Sequence, residues 1–259
     1  MDYEIKKMLI ENNKLLEKLV KNTSPKEEHQ IIVSDNKSVS SSEFESPLLL
    51  DKDKQYEIAL VDLETYYSFP NISKYNNVIE YTINNKTKKI IIPVGSYEFN
   101  GLNKEIQRQL KSNGDEEAFE LIANLNTFKS ILDIKPDYTV DFSHNRSIKK
   151  VLGFTQDIYK SGINESENIV NILAINSIFV HINVINGSIV NGSEKPVIYS
   201  FFPKVSPGYK IIQKPVNPIY LPVTLNAISN FNVSITDQNE KPLDLRGEEI
   251  TIRFHLRER

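Results

Sequence analysis

The chain has 259 residues, of which 39% are hydrophobic, 25% charged and 9% aromatic, with no cysteine and no tryptophan. That length and balance allow a sizeable buried core and exclude wholesale disorder and collagen-like repeats. The lack of cysteine excludes disulfide scaffolds, Cys-ligated metals and thiol nucleophiles, and a formal net charge of −3 argues against a surface built to neutralise phosphates, so nucleic acid is not an expected partner.

In chain order, residues 1–22 come first and contain neither Gly nor Pro. With Ile5, Asn12 and Leu19 at heptad position a, Met8 and Leu15 fall at d, a seam with one polar a residue. So short a helix is marginal alone. It predicts a self-associating coil, the rival being a helix docked on its own domain, and makes these five residues the oligomerisation candidates. The opening residues are too charged for a secretory signal, and no window is apolar enough to span a bilayer, so no membrane insertion is expected. The glycosylation-like triplets Asn71-Ile-Ser73 and Asn186-Gly-Ser188 read as chance in an Asn-rich chain.

Residues 23–53 read as a flexible linker or arm. NTSPKEEHQ, SDNKSVSSSEFES and DKDK are polar and lack periodicity. The triplet Leu48-Leu49-Leu50 after Pro47 either docks on a neighbour or begins the folded domain.

Residues 54–259 read as one mainly β domain. Ile58, Leu60 and Asp62 alternate with Ala59, Val61 and Leu63. VIEYTI and KKIIIPVGSYEF bracket a turn at Asn84-Asn85, and Ile178, Val180, Ile182 and Val184 share one face of SIFVHINV. Asn186-Gly187 and Asn191-Gly192 are hairpin-turn signals. Further short runs with prolines at their edges complete a pattern of about eight to ten strands, as in a sandwich or jelly roll. Leu102, Ile106 and Leu110 predict a helix capped near Asn100, and SIKKVLGF a short turn ending at Gly153. AFELIANLNTFKSIL fits helix or strand and leans towards strand.

The four histidines, His29, His144, His181 and His255, are dispersed, and no zincin, nucleophile-elbow or phosphate-loop motif occurs. His144 has Asp141 and Ser143 nearby, but adjacency in sequence does not build a triad. Asp62 and Glu64 share a strand face at the spacing of an acid/base pair, yet their flanks read as the wall of a sheet. Asp51-Lys-Asp53 and Asp115-Glu116-Glu117 lack calcium-loop spacing and read as solvated turns. No catalytic, metal-binding or cofactor-binding residue is therefore assigned, and no enzyme activity is expected. Arg253 and Arg257 share a strand face with His255, suited to nucleic acid or an acidic neighbouring subunit, or equally to protecting a sheet edge.

ETYYSFPNI (64–72), IIPVGSYEFNGLNKEIQRQL (91–110), SIKKVLGF (147–154), FPKVSPGYKI (202–211), PIYLPV (218–223) and ITDQNEKPLDLRGEEITIRFHLRE (235–258) follow one another in that order. Together they make the third region resemble the penton-like minor capsid proteins, with a single jelly roll, of adintoviruses and Polinton/Maverick elements; no such resemblance covers residues 1–53. The resemblance implies a structural virion protein with no active site to carry over. The implied subunit forms a ring at the capsid vertex, a homo-pentamer in contact with the major capsid protein, with a host receptor as a further partner. It would be made in the cytoplasm or nucleus of the host cell and located in the virion. The N-terminal seam departs from this pattern, because such seams suit two to four strands; the alternative is a trimeric spike or receptor-binding head carried on the coil. Surface and interface candidates are Tyr66, Tyr67, Phe69 and Pro70, the turn Ser206-Pro207-Gly208-Tyr209, and Arg253 and Arg257; for the first two sets the rival is packing within the chain's own core and turns, which any one aromatic fits better.

Overall fold

The computed structural model describes residues 6–8, 10–15, 26–172 and 175–259. Residues 6–8 and 10–15 are helical. Then follow β1 (Glu28–Asp35), β2 (Val39–Leu49), β3 (Tyr56–Tyr66), β4 (Val78–Ile83) and β5 (Lys86–Ile91). Helix α1 (Phe99–Ser112) leads to β6 (Phe119–Asn124) and β7 (Lys129–Asp141), and the one-turn α2 (Lys149–Leu152) to β8 (Ile158–Ile169). The remainder is β: β9 (Ile178–Ile182), β10 (Ser188–Val190), β11 (Ser193–Lys195), β12 (Val197–Phe201), β13 (Lys210–Gln213), β14 (Leu221–Pro222), β15 (Ala227–Asp237) and β16 (Ile250–Glu258).

Two sheets form a sandwich. One is ordered β1-β16-β3-β13, with β14 also on β3; the other is ordered β12-β9-β15-β2. Their pairings are antiparallel and nested: β1 with β16, β2 with β15, β3 with β13, and β9 with β12. A long hairpin rolled so that first meets last is the jelly-roll topology, as the strand pattern predicted. Ile31, Leu60, Val180, Phe231 and Phe254 meet in its core. The rings of Phe231 and Phe254, from opposite sheets, lie edge to face at 5.1 Å.

The segment read as a linker is the main correction, because β1 and β2 are two of the sandwich strands. β1 alternates correctly, burying Ile31 and Val33 between exposed neighbours. In contrast, β2 lies at a sheet edge and packs only Phe44 and Leu48 against the core. A strand with so few apolar residues has the composition of a polar arm, and its serines hid it.

Between β3 and β9 the chain builds a second core. The sheet β5-β4-β7-β6, with β8 also on β7, packs against α1 through Leu102, Ile106 and Leu110. The segment leaning towards strand is indeed β6 and the start of β7. Asn84 and Asn85, both at positive φ (50° and 61°), close the β4–β5 hairpin. Asn191-Gly192 does the same for β10–β11, whereas Asn186-Gly187 lies in the link from β9 to β10. Helix α1 starts from Glu98 without a side-chain cap, so Asn100 lies inside it. Its amides serve strand edges instead. Gln109 exchanges two hydrogen bonds with the backbone of Ile91 (2.8 and 3.1 Å). On β6, Asn103 accepts from Leu121 N–H (3.1 Å) and Gln107 donates to the Phe119 carbonyl (2.8 Å).

The second core joins the sandwich at a narrow neck. The Asn71 side chain donates to the carbonyls of Tyr97 (2.7 Å) and Ile172 (2.8 Å) and accepts from Tyr97 N–H (2.9 Å). Ser96 Oγ lies within hydrogen-bonding reach of the Ser68 and Phe69 carbonyls (3.0 and 2.6 Å).

Gly153 ends α2 at φ 83°, and a Cβ there would sit 2.3 Å from the Asn168 carbonyl oxygen. Gly153→Ala is expected to cost about 2 kcal/mol of stability, read from urea unfolding.

Candidate functional site

The outer face of the β1-β16-β3-β13 sheet is a ladder of opposite charges. Strand β16 buries Ile250, Ile252, Phe254 and Leu256 and turns Thr251, Arg253, His255 and Arg257 outward. A bulge between Arg253 and Phe254 shifts the pairing on β3. Asp62 is thereby moved to the outer face with Glu64, opposite to Ile58 and Leu60, breaking the alternation read from sequence. Arg253 Nη1 donates to both oxygens of Asp62 (2.7 and 2.6 Å), and Arg257 makes two bonds to Glu57 Oε1 (2.8 and 2.7 Å). The Arg257 guanidinium also covers the Tyr220 ring at 3.6 Å, and the Tyr220 hydroxyl pairs with His255 Nδ1 at 2.7 Å. Lys210 on β13 lies 2.6 Å from Glu64 and holds its carboxyl below the usual range.

This ladder corrects the reading of the closing strand. β16 is central, flanked by β1 and β3, and its arginines are committed to partners within the chain. Pairs as exposed as these add little to stability; their use here is to fix strand register. Asp62 and Glu64 are likewise held by Arg253 and Lys210 as parts of the sheet wall.

The two interface sets from the sequence meet at the neck end of the sandwich. Tyr67 N–H donates to the Tyr209 carbonyl (2.9 Å) and Gly208 N–H to the Tyr67 carbonyl (2.8 Å). Tyr67 and Phe69 are 6% and 3% exposed, with rings 5.4 Å apart, so these two are core rather than surface. Pro70 and Pro207 are half-buried, whereas Tyr66, Ser206, Gly208 and Tyr209 are exposed. Along the same edge the structure adds residues that periodicity did not single out: Phe202, Val205, Ile212 (54%), Val216 (94%) and Ile219 (72%). Ile212 stands on β13, and the signal for the others was apolar residues set among Pro203, Pro207, Pro215 and Pro218. In the N-terminal helix Met8, Asn12 and Leu15 are exposed; Ile5 and Leu19 lie outside the described residues.

A second polar cluster lies in the inserted domain. Asp115, expected in a solvated turn, is 7% exposed and takes Lys88 Nζ and the Tyr81 hydroxyl (2.7 Å) on one oxygen, with the Tyr138 hydroxyl (3.3 Å) on the other. Burial works to raise its pKa, but the hydrogen bonds from Lys88 and Tyr81 outweigh that and hold the carboxyl below its usual range. Burial and the same carboxylate push the Tyr81 hydroxyl up. Each histidine also has a local partner. His29 pairs with Glu27, His144 Nδ1 accepts from Arg146 N–H, and His181, whose pKa burial lowers, bonds Thr236 (2.9 Å). Among the described residues no three metal-ligating side chains gather, and no helix is long and apolar enough to cross a membrane.

No protein-family model and no curated protein matches the chain. Among solved structures it is similar to the crystal structure of the SeMet-labelled mavirus penton protein. The two share 10% identity with a TM-score of 0.49, over 90% of this chain and 100% of that one.

Proposed function

We propose that this chain is a structural virion protein, a penton-like minor capsid subunit whose jelly roll forms a ring at the capsid vertex in contact with the major capsid protein. The observation that carries the reading is the row of exposed apolar side chains along the β12–β13 edge, Phe202, Val205, Tyr209, Ile212, Val216 and Ile219. A concentration of this kind marks an interaction surface. It flanks β13, a terminal strand whose outer edge is unpaired among the described residues. The penton-like sequence segments 64–72 and 202–211 converge at the same place. In a homo-pentamer this edge would face a neighbouring copy.

The exposed Met8 and Leu15 support the second reading, a trimeric spike or receptor-binding head assembled through the N-terminal helix. Mass photometry and particle averaging, on the full chain and on a form lacking residues 1–25, separate the two. The ring reading expects rings of five from both proteins. Trimers that fall to monomers on truncation would establish the spike, and a full chain that stays monomeric at micromolar concentration would overturn both.

A further inference from the structure

Resting on that reading, we infer that the ring contact is head to tail, the β12–β13 edge of one copy docking on the β1–β2 edge of the next. The two edges are the opposite ends of the sandwich: β13 and β1 end one sheet, β12 and β2 the other. Only residues 36–38 separate β1 from β2, so the pair forms one continuous side as the chain steps between sheets.

The two sides are complementary in charge. Residues 202–219 contain Lys204, Lys210 and Lys214 and no Asp or Glu. Lys210 is engaged by Glu64, while Lys204 and Lys214 form no ion pair among the described residues. Residues 26–53 carry seven carboxylates against three lysines. Among those carboxylates Asp35, Glu43, Glu45, Asp51 and Asp53 form no ion pair among the described residues. Glu43 and Glu45 stand on the exposed face of β2. Each side also offers apolar area, with Ile32, Val39 and Leu49 exposed on the acidic side and Ile212, Val216 and Ile219 on the basic side.

Charge then selects the symmetry. A two-fold contact would set one side against itself, lysine facing lysine or carboxylate facing carboxylate, which repels. A head-to-tail contact sets opposite charges together and repeats around a closed ring when the rotation between copies permits.

The test reverses each side in the full chain and measures self-association by sedimentation velocity. Lys204→Glu with Lys214→Glu, and separately Glu43→Lys with Glu45→Lys, are each expected to weaken association about tenfold or more at low salt. The chain carrying all four changes is expected to return to within about threefold of the parent. These positions are exposed, and an unchanged thermal midpoint confirms folding; Ile212→Ser, expected to weaken association without altering either charge set, is the second probe of the same edge. If the parent forms rings but neither reversal weakens them, or the fourfold variant is weaker than either double, this inference falls and the ring reading stands. A parent that never associates removes both.

Discussion

Removal of residues 1–53 is expected to unfold the sandwich, whereas removal of residues 1–25 leaves it folded. The longer deletion takes away β1, which pairs with β16 from Glu28 to Asp35, and β2, which pairs with β15 from Val39 to Leu49. Ile31 and Val33 leave the core with β1, and the packing of Phe44 and Leu48 goes with β2. Each fully buried aliphatic or aromatic side chain contributes about 1.5–3 kcal/mol. Their combined loss rivals the 5–15 kcal/mol, roughly, that holds a whole domain together. The deletion would also bare the long edges of β16 and β15 to aggregation. Circular-dichroism melts of both truncations are the measurement. A cooperative transition near that of the full chain for the longer truncation would show that the sandwich does not need its first two strands.

The second large effect is expected from Asp115. Asp115→Asn removes the charge that Lys88, Tyr81 and Tyr138 share. Breaking such a pair from one side costs about 3 kcal/mol, because the remaining charge keeps its desolvation without its partner. Replacing both members, Lys88→Met with Asp115→Asn, is expected to cost less than the single change, since no charge is then stranded. The pH dependence follows from the sign of the shift. The folded carboxyl titrates below its unfolded value, so its contribution is complete above the unfolded carboxylate range and is lost as the pH falls through the folded one. Urea unfolding from about pH 7 to about pH 3 should therefore show the gap between parent and Asp115→Asn narrowing with acid. A gap that stays constant would mean that the carboxylate is not what stabilises this corner.

How far the sequence revealed this molecule depends on how each element is stabilised. Elements held by their own pattern were legible: the face of Ile178, Val180 and Ile182, the stripe of Leu102, Ile106 and Leu110, and the turns at Asn84-Asn85 and Asn191-Gly192. Elements held by neighbours were not. β2 is a strand because β15 lies beside it, and nothing in VSSSEFESPLL demands that local structure. The same holds for Asp115, whose burial depends on Lys88 and Tyr81 arriving from a different hairpin. Tyr67 and Phe69 stood among the interface candidates with core packing as their rival, and it is the rival that their burial supports, since aromatic residues serve in cores and interfaces alike. A two-core organisation was likewise invisible, since both halves are built from short strands of similar composition.

The clamp at Asn71 also bears on how the chain finds its fold. Strands β3 and β9 share one sandwich but lie roughly a hundred residues apart, and closing a loop of that size costs about 2 kcal/mol more than closing one of ten. Asn71 itself stands near the start of the intervening segment and binds Ile172 near its close, holding Tyr97 of the insertion with the same side chain. Once the inserted domain has formed, its ends are pinned side by side and the separation between β3 and β9 shrinks to the few residues flanking the clamp. In kinetic terms the insertion is then a preformed short loop, and the sandwich can close at the pace of a fold with much more local contacts.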